Sequence, residues 1–265
     1  MRNAGKRLPF LELHPARILG LLERVDLIDS VILFKRVEST NIIASKFLDR
    51  DLEGGILIVA EVQTKGKGRK GRVWYSSEGK SLTFTVILSI KNNEGHVAEI
   101  TPLFAITIVS ALEQMGIEDV RIKWPNDIMV HGKKLCGILA ETKGSRVIVG
   151  VGINVNEEES DLSVVDIPAT SLRIELGKVL DRGKVLVGLL IALDNNYKIW
   201  SKKHLGAFKE GIEKRLMYLG KEVQVIDDRK LMRGRILGIN DEGCLILDVS
   251  GRKLAIPSGD LSLKG

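Results

Sequence analysis

VRIKWPNDIMVHGKKLCGILAE (120–141) and RVIVGVGINVN (146–156) decide the fold class. Arg121 to Trp124 runs as a strand into Pro125-Asn126-Asp127, a turn signal. Ile128-Met129-Val130 then meets His131-Gly132, and the chain returns through Lys133-Lys134-Leu135-Cys136-Gly137-Ile138-Leu139. Strands joined by tight turns pair antiparallel, whereas parallel strands need long crossovers. The segment therefore predicts hairpins in a mixed sheet, not a doubly wound parallel one.

Working outward, VILFKRV (31–37) and ILIVAEV (56–62) are β-branched, apolar strands, with Ser39 or Thr40 capping a short helix to about Asp49 between them. SLTFTVILSI (81–90) is another strand, and Pro102 sits in the first turn of a helix through Met115 that Gly116 ends. Residues 157–170 read as an acidic loop, and 184–200 and 204–215 as helices, because Leu186, Leu189, Leu190, Leu193, Tyr197 and Trp200 recur at helical spacing. From 217 the pattern changes to short strands and tight turns, a small C-terminal β-barrel domain. The fold class expected is α+β: a mixed sheet flanked by helices over 31–216, followed by the barrel over 217–265. Residues 1–30 form an N-terminal extension in which 15–29 reads as a short packing helix.

The 265 residues are 44% hydrophobic and 28% charged, with no repeat and no apolar run long enough to span a bilayer. Glu12, His14 and Arg17 interrupt the N-terminal apolar stretch and make it a poor signal peptide. Cys136 and Cys244 match no metal or redox spacing. A cytoplasmic protein without membrane contact is expected. The net charge of +6 is not spread over a domain: residues 1–30 hold five basic and four acidic side chains, and 217–265 hold eight and seven. It concentrates at Lys65-Gly66-Lys67-Gly68-Arg69-Lys70-Gly71-Arg72, five cations and three glycines.

Glycines at alternate positions let backbone N–H groups form an anion-binding concavity, to which Lys67, Arg69 and Arg72 add full charge. The spacing is not that of a P-loop. Composition alone leaves a solvated loop or a nucleic-acid contact equally open. Lys123-Trp124-Pro125-Asn126-Asp127 offers an Asp after a strand, though such a turn is also ordinary. Lys134 before Gly137 can aim an amine at a backbone floor, or be a solvated hairpin lysine. Gly150-Val151-Gly152-Ile153-Asn154 suggests close packing against a flat ligand. Trp74 is either core or a stacking platform.

Taken in order, these segments resemble the biotin–protein ligase family over roughly residues 31–265. The resemblance rests on Ser39-Thr40-Asn41, on Gln63 with Gly66 to Arg72 and Trp74, on Lys123 to Asp127, on Lys134 to Leu139, and on Gly150 to Asn154. It implies a catalytic domain of the biotin/lipoate ligase type, like that of class II aminoacyl-tRNA synthetases. It also implies a two-step reaction with ATP, Mg²⁺ and biotin. Biotin's carboxylate attacks the α-phosphate, giving biotinyl-AMP and pyrophosphate. A lysine of a biotin carboxyl carrier protein then takes the biotinyl group and releases AMP.

By the same resemblance Ser39, Thr40, Asn41 and Gln63 hold the ureido end of biotin, with Gly66, Lys67, Gly68, Gly137 and Gly150 around it. Arg69 and Lys134 sit between carboxylate and α-phosphate, with Lys134 the main electrostatic catalyst. Arg72, Trp74, Asn126, Ile153 and Asn154 face the nucleotide; Asp127 meets the acceptor lysine and Lys123 assists with phosphate. No protein ligand for Mg²⁺ is identified. Lys67 stands where the family usually has arginine, keeping charge but losing the planar fork. Cys136 replaces a usual alanine.

Some members carry an N-terminal helix-turn-helix; about 30 residues precede the resemblance here, and such a domain needs roughly twice that, so DNA binding is not expected. A homodimer is the default oligomer. The competing readings are a lipoate–protein ligase, which runs a parallel reaction, and a nucleic-acid-binding protein whose basic loop grips phosphate.

Overall fold

The computed structural model describes Leu13, Ile18, Gly20 and residues 25–48, 54–90, 94–143, 146–227 and 230–263. The short helix expected over 15–29 lies largely outside these residues. The chain forms β1 (Ser30–Val37), α1 (Thr40–Ser45), β2 (Ile56–Gln63), β3 (Gly66–Lys67), β4 (Val73–Trp74), β5 (Leu82–Ser89) and α2 (Ile100–Gln114). Next come β6 (Val120–Lys123), β7 (Asp127–Val130), β8 (Lys133–Lys143), β9 (Arg146–Ile153), α3 (Glu159–Leu162), α4 (Leu172–Leu176), α5 (Arg182–Lys203) and α6 (Lys209–Arg215). The last five strands are β10 (Glu222–Asp227), β11 (Lys230–Ile239), β12 (Leu245–Val249), β13 (Arg252–Ile256) and β14 (Asp260–Leu263).

Seven strands form one sheet in the order β1-β2-β5-β9-β8-β7-β6. Only β1 and β2 run parallel, joined by the crossover that contains α1; every other neighbour is antiparallel. The mixed sheet read from the hairpin signals is thus the sheet found. Its two faces follow from the strand period of two. On β9, Val147, Val149, Val151 and Ile153 enter the main core beneath α2 and α5, while Ile148 joins a smaller cluster under α1. Gly150 and Gly152 share the Ile148 face, which leaves that side of the sheet open beyond α1. The large side chains of the main face each contribute about 1.5–3 kcal/mol by burial, so the register of β9 is strongly set.

Pro102 lies in the first turn of α2, as expected, and a continuous helical stretch, His96–Gln114, is long and apolar enough to cross a bilayer by length and composition. It packs instead as a core helix, with Leu103, Phe104, Ile108, Val109 and Leu112 buried against the sheet. The helix expected over 204–215 is a 3-10 turn, Leu205–Phe208, followed by α6, because His204 takes φ 54° and ends α5. The α4 helix was not anticipated, although Ser171 caps it by accepting the Ile174 N–H at 3.2 Å and Gly177 ends it at φ 66°.

The C-terminal strands form an antiparallel sheet in the order β13-β12-β11-β10-β14. Its edge strands β13 and β14 do not pair with each other, so among the described residues the expected barrel stays open. It docks on the catalytic sheet through Trp124, whose Nε1 donates to the Gly243 carbonyl at 3.2 Å. That indole is 4% exposed, so this contact fixes the second sheet beside β6 and β7.

Candidate active site

A cavity of about 490 Å³ opens on the glycine-bearing face of the sheet, between α1, the basic loop, the β6–β7 turn and the start of β14. Its first wall is neutral and polar. Ser39 precedes α1 and, like Thr40 and Asn41, is buried. Gln63, at the end of β2, accepts the Thr40 N–H at 2.7 Å and its hydroxyl at 3.1 Å through Oε1. Thr85 Oγ1 lies 2.7 Å from Thr40 Oγ1 and 2.8 Å from Asn41 Oδ1, and its single proton serves one of them. Asn41 Nδ2 donates to the Glu141 carboxylate at 2.8 Å. A Cβ on Gly150 would lie 2.1 Å from Asn41 Oδ1, so glycine is required there. Buried hydrogen-bonding groups so tightly interlocked present fixed donors and acceptors to a neutral polar ligand.

The opposite wall is cationic. Lys134 Nζ lies 2.7 Å from Asp127 Oδ1, with the two side chains 18% and 17% exposed. No aligned hydrogen bond joins them, so the contact is an ion pair, and Asp127 Oδ1 is buried against the ammonium. Asp127 pairs with Gly137 across β7 and β8, and Lys134 is fixed by its backbone, which donates to Pro168 O at 2.8 Å and accepts from Thr170 N at 2.9 Å. Arg69 Nη1 donates to Asn126 Oδ1 at 3.3 Å and to the Gly259 carbonyl at 3.2 Å. Burial holds the Arg69 guanidinium below its ordinary range, with Asp260 opposing that shift and Arg72 adding to it. Lys123 also lines the cavity.

The basic loop is a hairpin: β3 and β4 pair Gly66 with Trp74 and Lys67 with Val73, and Gly68 N donates to Arg72 O at 2.7 Å. Lys70 adopts φ 53° and Gly71 φ 75° to make the turn. This fold of the loop places Trp74 on the cavity floor. A Cβ on Gly152 would lie 2.3 Å from the indole Cε2, and one on Gly137 would lie 3.1 Å from its Cζ3. The flat group these glycines admit is therefore the chain's own tryptophan, which also has Lys134 Nζ 5.8 Å from its ring centre. Its Nε1 is buried without a hydrogen-bond partner.

Of the residues singled out from the sequence, all but two line this cavity. Gly66 is buried behind it, where a Cβ would meet Trp74 O at 2.3 Å. Ile153 falls on the opposite strand face and its side chain belongs to the main core, so only its backbone is left for the expected nucleotide contact. Asn154 lines the cavity but is committed to structure, donating through Nδ2 to Thr170 O at 2.9 Å. Cys136 is buried in the main core, where burial pushes its thiol up and keeps it protonated.

Sequence reading missed Asp260 and Gly259. Asp260 takes a hydrogen bond from Arg72 Nη2 and lies 3.2 Å from Lys70 Nζ. Burial raises its carboxyl, but these two cations outweigh that and hold it below the ordinary range. A signal existed: Asp260 is the only acid in 250–265. Asp166 and Ile167, from the loop before α4, were missed as well, and no motif marks them.

Residues 33–157 match the biotin/lipoate A/B protein ligase family and 218–264 match the biotin protein ligase C terminal domain. The bifunctional ligase/repressor BirA of Bacillus subtilis is 32% identical over 234 residues, covering 86% of this chain and 72% of that protein. The biotin--[acetyl-CoA-carboxylase] ligase of Mycobacterium tuberculosis is 30% identical over 213 residues, 78% of each. Among solved structures, the biotin protein ligase of Aquifex aeolicus in complex with biotin and ATP superposes with a TM-score of 0.77 at 32% identity, covering 89% of this chain and 99% of that one. The chain belongs to the biotin protein ligase family.

Proposed function

We propose that this protein activates biotin with ATP to biotinyl-AMP and transfers biotin to a lysine of a biotin carboxyl carrier domain. One observation carries the reading: a single cavity joins the neutral Thr40–Gln63 wall to the Lys134–Asp127 pair. In the sheet order, β2 and β8 are three steps apart, about 14 Å at a strand spacing near 4.8 Å. A ligand with a cyclic urea at one end and a carboxylate at the other spans such a cavity, its urea satisfied and its charge neutralised.

In the first step the biotin carboxylate oxygen attacks the α-phosphorus and pyrophosphate leaves. Lys134 and Arg69 offset the repulsion between the two anions and stabilise charge on the phosphorus. In the second step the acceptor amine attacks the acyl carbon and AMP leaves. Asp127 already seats one ammonium at 2.7 Å, and its carboxylate, which lines the cavity, orients the incoming amine and takes up its proton. Mg²⁺ would be carried by the triphosphate and would neutralise it. Of the carboxylates lining the cavity, Asp127 and Asp260 are engaged by cations of the chain, which leaves the exposed Asp166 to hold the ion directly or through water.

Residues 31–216 form the catalytic unit in this reading, and 217–265 the unit that holds the basic loop. A homodimer rests on the prevalence of two-fold homo-oligomers and is tested by light scattering. Two free cysteines fit a reducing cytoplasm. The decisive experiment incubates the protein with ATP, Mg²⁺ and either biotin or lipoate and follows adenylates by mass spectrometry. Biotinyl-AMP is expected. Lipoyl-AMP in its place would overturn the substrate, and no adenylate with salt-sensitive nucleic-acid binding would overturn the reaction.

A further inference from the structure

Away from the cavity, the C-terminal end of α5 meets the 3-10 turn Glu94–Glu99 that precedes α2. Three potential metal ligands converge there: His96, Glu99 and His204 each offer one ligand atom, all within 4.8 Å of one another. The Glu99 side chain is only 3% exposed. Its Oε2 accepts the Trp200 indole N–H at 2.7 Å and the Leu205 N–H at 2.8 Å, so the carboxylate is held rigidly. Its Oε1 faces His96 Nδ1 at 2.5 Å. The His204 ring stacks on His96 with centroids 3.6 Å apart and planes 11° apart.

Two features are unexplained by an ordinary ion pair. His204 Nδ1 is buried with no hydrogen-bond partner, which is costly for a polar atom. His204 also sits at φ 54°, ψ −167°, a conformation that non-glycine residues rarely adopt. A divalent ion would compensate the buried Glu99 carboxylate and take up the orphan His204 nitrogen.

We propose that His96, Glu99 and His204 bind a zinc-class divalent cation. Two imidazoles and one carboxylate are a ligand set suited to zinc, at about 2.0–2.2 Å per bond and hence about 3.4 Å between ligand atoms in a tetrahedral shell. The ligand atoms start within 4.8 Å of one another, and the His96–His204 stack opens so that each ring turns a nitrogen, in its own plane, onto the ion. His96 is 40% exposed, so ions can reach the site and water can fill the fourth position. The site would tie the Glu94–Glu99 turn to α5. Val97 and Ala98 of that turn line a second cavity of about 500 Å³ behind the basic loop, also bordered by Lys67 and Arg69. Metal occupancy would therefore bear on one wall of a cavity that the basic loop also lines.

The test uses chelator-stripped full-length protein titrated with Zn²⁺ by calorimetry and with Co²⁺ by visible absorption, without biotin or ATP. One ion per chain at micromolar affinity or tighter is expected, with Co²⁺ giving the intense bands of a four- or five-coordinate site. His204→Ala and His96→Ala should each weaken binding at least tenfold, while His131→Ala leaves it unchanged. Glu99 also supports Trp200 and Leu205, so Glu99→Gln can fail by misfolding, and the two histidine variants, checked for native circular dichroism, carry the result. Millimolar affinity, a six-coordinate Co²⁺ spectrum, or affinity unchanged in both histidine variants overturns the site.

Discussion

Replacing Lys134 with methionine keeps the length of the side chain and removes its charge. The magnitude follows from the surroundings. Two anions about 4 Å apart at an effective dielectric near 20 repel by about 4 kcal/mol. Lys134 is 18% exposed, so water replaces little of the lost cation. Asp127 draws part of that positive charge to itself at 2.7 Å, which lowers the net effect. The expected loss is about 3–4 kcal/mol, or a factor of about 10²–10³ in adenylation, the range found when one preorganised donor is removed. Single-turnover formation of biotinyl-AMP, quenched and quantified by mass spectrometry, measures it. Transfer from biotinyl-AMP supplied ready-made should fall less than tenfold, because the carboxylate–phosphate repulsion belongs to the first step. Adenylation within threefold of wild type, in a variant with an unchanged melting temperature, would refute the role given to Lys134.

Gly152→Ala puts a methyl group where the indole of Trp74 lies, and such overpacking costs about 1–3 kcal/mol; thermal unfolding should fall by several degrees and biotinyl-AMP retention should drop. Asp260→Asn removes the anchor of Lys70 and Arg72, about half-exposed pairs worth roughly 0.5–1 kcal/mol, so trypsin should cut within 65–72 about two to five times faster at low salt. Because the Asp260 carboxyl is held below its unfolded value, its contribution is present above about pH 4 and lost on further acidification, and the variant should lack that acid-side loss. Glu157 is the opposite case. Burial pushes its carboxyl up despite the hydrogen bond from Ser81, so its contribution is full below the ordinary value of 4.5 and declines as pH rises. Glu157→Gln should therefore melt higher than wild type at neutral pH and lose that advantage below pH 4.5.

The hairpins at 120–154 were legible because turn residues and strand periodicity agree there, and the sheet follows from them. The polar and cationic site residues were legible because motif order brought them together before geometry did. What escaped reading was of two kinds. Ile153 lies within a recognisable motif, yet strand parity, set by Val149 and Val151, turns its side chain into the core. The same parity shows why the glycines flanking it matter. Asp260 and Gly259 reach the basic loop across 188 and 190 residues of sequence, a pairing no local pattern carries. Gly150 to Asn154 was read as a place of close packing against a flat ligand, and the flat group that lies against Gly152 in the structure is Trp74.

The position of Trp74 gives the molecule an optical reporter at its centre. Of the three tryptophans, Trp124 and Trp200 are buried and hydrogen-bonded at fixed partners, whereas Trp74 rests on a glycine floor beside a charged amine, with its N–H unsatisfied. Indole emission is sensitive to charge, to hydrogen bonding at the ring nitrogen and to stacking. A ligand that enters the cavity acts directly on this ring, while Trp124 only borders the cavity and Trp200, outside it, serves as the internal standard. Occupancy of the unlabelled protein can thus be followed in real time, and the two half-reactions resolved as successive changes in a single natural chromophore.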